Sequence, residues 1–402
     1  MPYMGNRSLQ YIAIFLTVFI DILGFGIVIP VLPLYAEHFG ATTWQIGWLV
    51  GIFSLAQFFF APVWGKISDR IGRKPVLMIG VIGTIVGYVM MGLAGSVLML
   101  FVARLIDGIA GANIGTAQAY LADISSPETR ARAMGLLGAA FGLGFVFGPA
   151  LGGWAGVKFG YASPMFIAAG LAAVNFVFIL LFLPESRATL SQTRERIFPH
   201  LWSNVDVRAY LSSLLCYFLV IAGFSMMTTI FALFLHHRFG LDALHTGYIL
   251  AGIGIVGVII QGGLIGRLVK RFGEPALALT GALFMSAGLA GLAVSGQFFT
   301  MLIASAGVGI GNSLLMPTLA SLASRSASPD WQGRALGVVQ SGGSLARWAG
   351  PVVAGILLGS SSAGGASYGF LPLIVSAGIV AAAAGAVWFL WRRTSHGGCQ
   401  NT

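Results

Sequence analysis

Runs of about 20 apolar residues, each long enough to cross ~30 Å of hydrocarbon, recur along the whole of this 402-residue chain. Twelve can be placed, at residues 9–33, 44–65, 76–95, 97–122, 133–157, 164–184, 209–235, 245–268, 276–295, 298–323, 335–358 and 368–391. Lipid offers no partner for a bare N–H or C=O, so each span must be a helix that satisfies its own backbone. The expected fold is an all-α membrane protein with 12 transmembrane helices. Composition agrees by exclusion. Only 8% of the residues are charged and 57% are hydrophobic, whereas a soluble domain carries about 25% charged residues. So little charge cannot cover a water-facing surface, which argues against a soluble enzyme, a disordered chain or a nucleic-acid-binding domain. The first apolar run holds Asp21 at its middle and is followed by no small-residue cleavage site. It reads as a span and not as a signal peptide. Cys216 and Cys399 provide neither a disulfide framework nor metal-ligand spacing, so no cofactor and no metal are expected.

The basic residues set the orientation. Of 22 Lys and Arg, 18 fall on one side of the twelve spans, only Lys158 and Arg238 on the other, and Arg104 and Arg347 inside spans. Positive charge stays with the cytoplasm, which predicts both termini there. The same asymmetry accounts for the net charge of +10 without a polyanionic partner. The longest polar stretch, 185–206, divides the spans six and six. The expected organisation is a six-helix bundle over 1–184, a cytoplasmic linker over 185–206 and a second six-helix bundle over 207–402.

The halves repeat each other at an offset near 200. His38-Phe39-Gly40 matches Arg238-Phe239-Gly240, and Gly65 to Gly72 matches Gly266 to Gly273. Ser126-Pro127-Glu128 matches Ser328-Pro329-Asp330, Arg132-Ala133-Met134-Gly135 matches Arg334-Ala335-Leu336-Gly337, and Gly148-Pro149 matches Gly350-Pro351. Five matches in one order point to duplication. Two six-span repeats around a midplane site are how many secondary transporters are built.

These residues carry a resemblance. Gly65-Lys66-Ile67-Ser68-Asp69-Arg70-Ile71-Gly72-Arg73-Lys74-Pro75 resembles the signature loop between spans 2 and 3 of the major facilitator superfamily. Arg104-Leu105-Ile106-Asp107-Gly108 is similar to that family's span-4 motif. Gly144 to Gly153, with Gly148, Pro149 and Gly152, resembles the span-5 motif of its drug:proton antiporters. Phe19-Ile20-Asp21-Ile22-Leu23-Gly24-Phe25-Gly26, with Pro30 and Pro33, is similar to the tetracycline-efflux-like branch. The second copy of the loop departs from the pattern, with Lys270 in place of Asp69, and no acid lies well inside spans 7 to 12. The resemblance implies a proton-coupled exporter of small lipophilic compounds working by alternating access, with no particular drug singled out. It implies a monomer in the bacterial cytoplasmic membrane, with substrate, protons and lipid as its partners and no nucleic acid.

Four charges lie deep in spans: Asp21, Arg104, Asp107 and Arg347. Each costs at least ~2.5 kcal/mol there, so each is a functional candidate. At 1.5 Å per residue, all four fall near one depth. Arg104 and Asp107, at i and i+3, share a helix face, which Gly111 and Gln118 continue. A carboxyl whose solvation and neighbours differ between two open states changes its proton affinity. Asp21 and Asp107 are thus expected to couple protons, with Arg104 as the fixed cation. The alternative is a permanent ion pair pinning spans 1 and 4. Arg347 is expected to bind an anionic substrate group, to snorkel or to bond span-end carbonyls.

The resemblance also implies a cavity lined by spans 1, 4, 7 and 10. That makes Phe25, Asn113, Gln118, Phe224, Met227 and Asn312 candidate substrate contacts, against the reading that such residues are interhelical glue or core. Gly65, Asp69, Arg70, Gly72, Arg73 and Asp123 are read as an inner gate latch, with Asp123 placed to pair with Arg73 or Arg70; the alternative is solvated loop charge. Gly144, Gly148, Pro149, Gly152 and Gly153 are read as a hinge or leak seal, or else as close packing. His236, His237 and His245 read as interfacial. A metabolite carrier for a sugar or organic anion, or a receptor that keeps the fold without transport, are the competing functions.

Overall fold

The computed structural model describes residues 7–111, 113–186, 205–328, 331–360 and 367–397. These are helical almost throughout: α1 (Arg7–Val28), α2 (Leu32–His38), α3 (Thr43–Ile71), α4 (Arg73–Gly92), α5 (Val97–Ala110), α6 (Asn113–Ile124), α7 (Pro127–Phe159) and α8 (Ser163–Phe182). The second half continues with α9 (Val207–Phe239), α10 (Ala243–Ile259), a π-helical turn (Ile260–Leu264), α11 (Ile265–Phe272), α12 (Glu274–Val294), α13 (Phe298–Arg325), α14 (Gln332–Ser360) and α15 (Phe370–Gly397). One isolated bridge joins Val205 to Ala327.

Among the described residues, 11 segments are long and apolar enough to cross a membrane. The chain is an integral, multi-pass membrane protein. The remaining expected span, 335–358, lies within the 29-residue helix α14. Gln340, Ser341, Ser344 and Arg347 make it too polar to qualify by composition, although at 1.5 Å per residue its length is ample.

Three boundaries differ from expectation, each for a local reason. The first span stops at Val28, because Pro30 has no N–H to continue the ladder; Pro33 then opens α2, a position where a missing N–H costs nothing. The fourth span is two helices, α5 and α6, on either side of Gly111. The quoted loop 65–75 is helix except at Gly72: α3 runs to Ile71 and α4 starts at Arg73. Gly72 makes the turn at φ 102°, a conformation that disfavours a side chain. Gly273, at φ 79°, does the same between α11 and α12. Of the linker, 187–204, including Arg187, Arg194 and Arg196, lies outside the described residues, as do Pro329 and Asp330.

The chain forms two compact units. One holds the described residues through Ser186 with Phe231–His236 and Gly240–Gly254; the other holds Val205–Ile230, His237–Phe239 and the described residues from Ile255 onward. In the first, Ile14, Val18 and Ile22 repeat at helical spacing on α1 and pack with Leu77 and Val81 of α4, Tyr120 and Leu121 of α6, Ala140 of α7 and Ile179 of α8. In the second, α12 is the centre, packed on both α13 and α15.

Candidate functional site

The polar side chains of the first unit converge at mid-span. Arg104 Nη1 on α5 donates to Asp107 Oδ2 at 3.2 Å, and both residues are only 2% exposed. The i, i+3 spacing on one helical turn sets that geometry. Thr84 and Tyr88, one turn apart on α4, flank the pair: Thr84 hydrogen-bonds the Asp107 carboxyl, and Tyr88 lies within electrostatic range of Arg104, Asp107 and Asp21. Asp21 on α1 is reached by the Asn113 amide from α6, while its Oδ1 is buried with no hydrogen-bond partner. Arg104 Nε is also buried without one, and its guanidinium carbon sits 4.5 Å from the centroid of the Phe53 ring. A ring face is attractive to a desolvated cation. Two glycines of α4 make the room. A side chain at Gly87 would meet Asp107 Cβ at 2.8 Å, and one at Gly80 would strike Asn113 Oδ1.

The break in span 4 lies inside this cluster, between Asp107 and Asn113. A break frees backbone carbonyls, which apolar surroundings cannot solvate. α3 supplies the donors: Trp64 Nε1 reaches the carbonyl of Ile109, and Gln57 Nε2 that of Gly111, each at 2.6 Å. The face expected to run unbroken from Arg104 to Gln118 is therefore interrupted. Asn113 faces Asp21, and Gln118 is half-buried one turn further along α6.

At the basic end of the same unit, Arg73 is held by two acids. Its Nη1 is 2.9 Å from Asp69 and its Nε 3.0 Å from Asp123. Of the two partners expected for Asp123, Arg73 is the one recorded. Gly65 and Arg70 share the final turns of α3 with Asp69. Glu185, which motif reading did not single out, accepts from the N–H groups of Arg73 and Lys74 at 2.8 and 3.0 Å. It caps the start of α4, and a side chain at Gly72 would meet its carboxylate at 2.5 Å.

The glycine-rich helix α7 is continuous through Pro149. Side chains at Gly144 and Gly148 would meet Ile22 Cγ2 at 2.6 Å and Leu23 O at 2.9 Å, and one at Gly152 would strike the carbonyl of Ile27. The next residue, Gly153, faces Ala243, and Pro149 O faces Gly247. Glycine thus lets α7 touch α1 on one face and α10 on another, backbone to backbone. Phe25 packs on Phe53 at 5.6 Å and on Phe145 at 6.3 Å between ring centroids.

In the second unit, Arg347 Nη2 donates to Ser344 Oγ at 2.9 Å, and Tyr217 is its neighbour. Among the described residues no carboxylate pairs with it. Phe224 and Asn312 are half-buried, and Met227 is fully buried. In the first unit, His245 pairs with Asp242 at 2.7 Å and His236 contacts Leu241 O; in the second, the His237 ring lies tilted against Tyr368. No group of three metal-ligating side chains occurs among the described residues. A cavity of about 320 Å³ lined by Leu34, Tyr161, His236 and Asp242 includes none of the four mid-span charges.

The sequence model of the Major Facilitator Superfamily matches residues 14–351 and again 214–401. The chain belongs to the Major Facilitator Superfamily. It is 33% identical over 345 residues to the tetracycline resistance protein, class B, of Escherichia coli, covering 83% of this chain and 84% of that one. It is 32% identical over 367 residues to multidrug resistance protein 2 of Bacillus subtilis (strain 168), covering 88% and 90%. Its fold matches that of a bacterial homologue of the human lysosomal transporter Spinster with a TM-score of 0.81, at 16% identity, over 97% of this chain and 98% of that one. This superfamily member is accordingly a transporter of small molecules and not an enzyme, and the resistance proteins place it beside the tetracycline-efflux-like branch.

Proposed function

We propose that the protein exports small lipophilic drugs, as tetracycline or multidrug efflux proteins do, in exchange for protons. In this reading α14 is the twelfth span, both termini are cytoplasmic, and two six-span halves alternate access to a midplane site. The protein works as a monomer in a bacterial cytoplasmic membrane. Asp21 and Asp107 exchange protons, Arg104 is the fixed cation, and Asn113, Gln118, Phe25, Phe224, Met227 and Asn312 contact substrate. Asp69, Arg73 and Asp123, turned by Gly72 and flanked by Gly65 and Arg70, latch the inner gate. Gly144, Gly148, Pro149, Gly152 and Gly153 let span 5 move against its neighbours without a leak.

The observation that carries this reading is two neighbouring buried acids, of which only one is engaged by a guanidinium. Arg104 is engaged by Asp107 at 3.2 Å, and Asp21 keeps an oxygen without a partner. One arginine cannot neutralise both carboxylates, so a second charge must be met by a proton. Substrate added to acid-loaded everted vesicles should release protons, read with a pH-sensitive dye. Asp21→Asn should abolish that release while the protein still folds. Uphill transport at the parental rate in Asp21→Asn excludes Asp21 as the carrier.

Arg347 favours a second reading, a carrier of organic anions, because among the described residues its guanidinium has Ser344 and no acid as partner. Arg347→Gln would then abolish transport of anionic substrates and spare neutral ones.

A further inference from the structure

The basic ends of the two repeats carry ion pairs at matching places. In the first, Arg73 opens α4 and bonds Asp123 on the last turn of α6 at 3.0 Å. In the second, Glu274 opens α12 and bonds Arg325, the last residue of α13, at 3.3 Å. The repeat makes these the same positions. Gly72 and Gly273 precede them, both with positive φ, which sets Glu274 against Arg73 and Lys270 against Asp69. The match of Ser126-Pro127 to Ser328-Pro329 sets Arg325 against Asp123. Every charge in the trio is reversed.

The reversal is physically consistent. A helix N-terminus favours an anion. Glu274 is that anion for α12. Arg73 is not, and at α4 Glu185 supplies the carboxylate from outside the helix. Glu274 is further fixed by the Ser321 hydroxyl, which donates to its Oε1 at 2.7 Å. Its side chain is 11% exposed, against 73% for Arg325. A sheltered acid fixed by a hydroxyl can organise an exposed arginine.

We propose that Glu274 and Arg325 form a second cytoplasmic latch, the charge-inverted counterpart of Arg73–Asp123, which clamps the start of span 9 to the end of span 10. Both are positioning residues. The proposal rests on the latch reading of the first repeat.

The test uses Ala323→Cys, a fully buried site two residues before Arg325, in full-length protein carrying Cys216→Ser and Cys399→Ser. Everted vesicles are labelled with a membrane-impermeant maleimide. Glu274→Gln and Arg325→Gln should each speed labelling roughly two- to fivefold, the range for a partly exposed ion pair. The swapped double, Glu274→Arg with Arg325→Glu, should label more slowly than either single variant, because it restores the pair, though not the anion at the start of α12. Unchanged labelling in both single variants, or a double as fast as the singles, overturns the proposal. Should one single variant fail to fold, the other decides: faster labelling that the swapped double slows supports the clamp, and unchanged labelling overturns it. Labelling needs no substrate, so failure of the export reading leaves this result standing. The first-repeat latch is tested separately by Arg73→Gln with the cysteine moved to Leu121, also fully buried; unchanged labelling there removes the latch reading itself.

Discussion

A guanidinium at mid-span costs at least ~2.5 kcal/mol on insertion scales. Arg104 offsets that with one charge-assisted hydrogen bond to Asp107 and the face of Phe53. Removing one partner of such a pair strands the other. Arg104→Leu should therefore destabilise by about 3–5 kcal/mol, and the double variant Arg104→Leu/Asp107→Leu should recover most of it. Thermal unfolding in detergent measures both; a double variant less stable than the single would show that the two are not coupled. Asp21, Arg104 and Asp107 were legible in the sequence because charge inside an apolar run is rare. Thr84, Tyr88 and Phe53 were not, since such residues in a membrane helix usually just pack. The i, i+4 spacing of Thr84 and Tyr88 was a signal, but only the position of Asp107 across from them gives it meaning.

Helices here are set by what their backbones can reach. Gln57 and Trp64 satisfy the carbonyls freed at the break in span 4. Gln57→Leu and Trp64→Phe should each cost about 1–3 kcal/mol, the penalty of an orphaned buried acceptor, seen as a lowered unfolding midpoint. An unchanged midpoint in both would mean that water solvates those carbonyls. Gly148→Leu would drive a side chain into the α1 backbone and should cost about 1–3 kcal/mol or more, while Gly138→Ala, with open space around it, should be neutral. Asp242 caps α10 through the His245 N–H at 3.1 Å. Burial works to raise its carboxyl, but the bonds and charge from His245 and the Leu244 N–H outweigh that and hold it below the usual range. A lowered folded value means that the cap is present above the ordinary carboxylate pKa, about 3.9, and is lost as pH falls through the folded one. Asp242→Ala should lower stability by about 1 kcal/mol at neutral pH and by little in strong acid; a difference that does not change with pH would exclude the charge. The breaks at Pro30 and Gly72 follow from local chemistry. The one at Gly111 does not, because that position matters only with α3 donors beside it.

For the whole molecule, drug:H+ antiport requires that transport follow the pH gradient. A protonophore should stop uphill uptake of a tetracycline or cationic dye into everted vesicles; uptake that continues with every ion gradient collapsed removes antiport. The two compact units do not divide at the longest polar stretch alone, because Gly240–Gly254 clusters with the first of them. Gly247 and Gly153 explain why: without side chains, α10 and α7 meet at the level of their carbonyls. Clustering follows where backbones can touch.

Patterns with a fixed period or a fixed cost were readable from residues alone: 20-residue apolar runs, the one-sided placement of basic residues, the repeat, and the expense of a charge in hydrocarbon. Those properties belong to single residues and to their spacing along the chain. Tertiary structure alone decided which acid engages Arg104, which donors mend the broken span, that Glu185 caps α4 and that Glu274 pairs with Arg325. Each of these depends on a partner from another helix, brought within about 3 Å by packing, and no periodicity in a single chain encodes such a meeting.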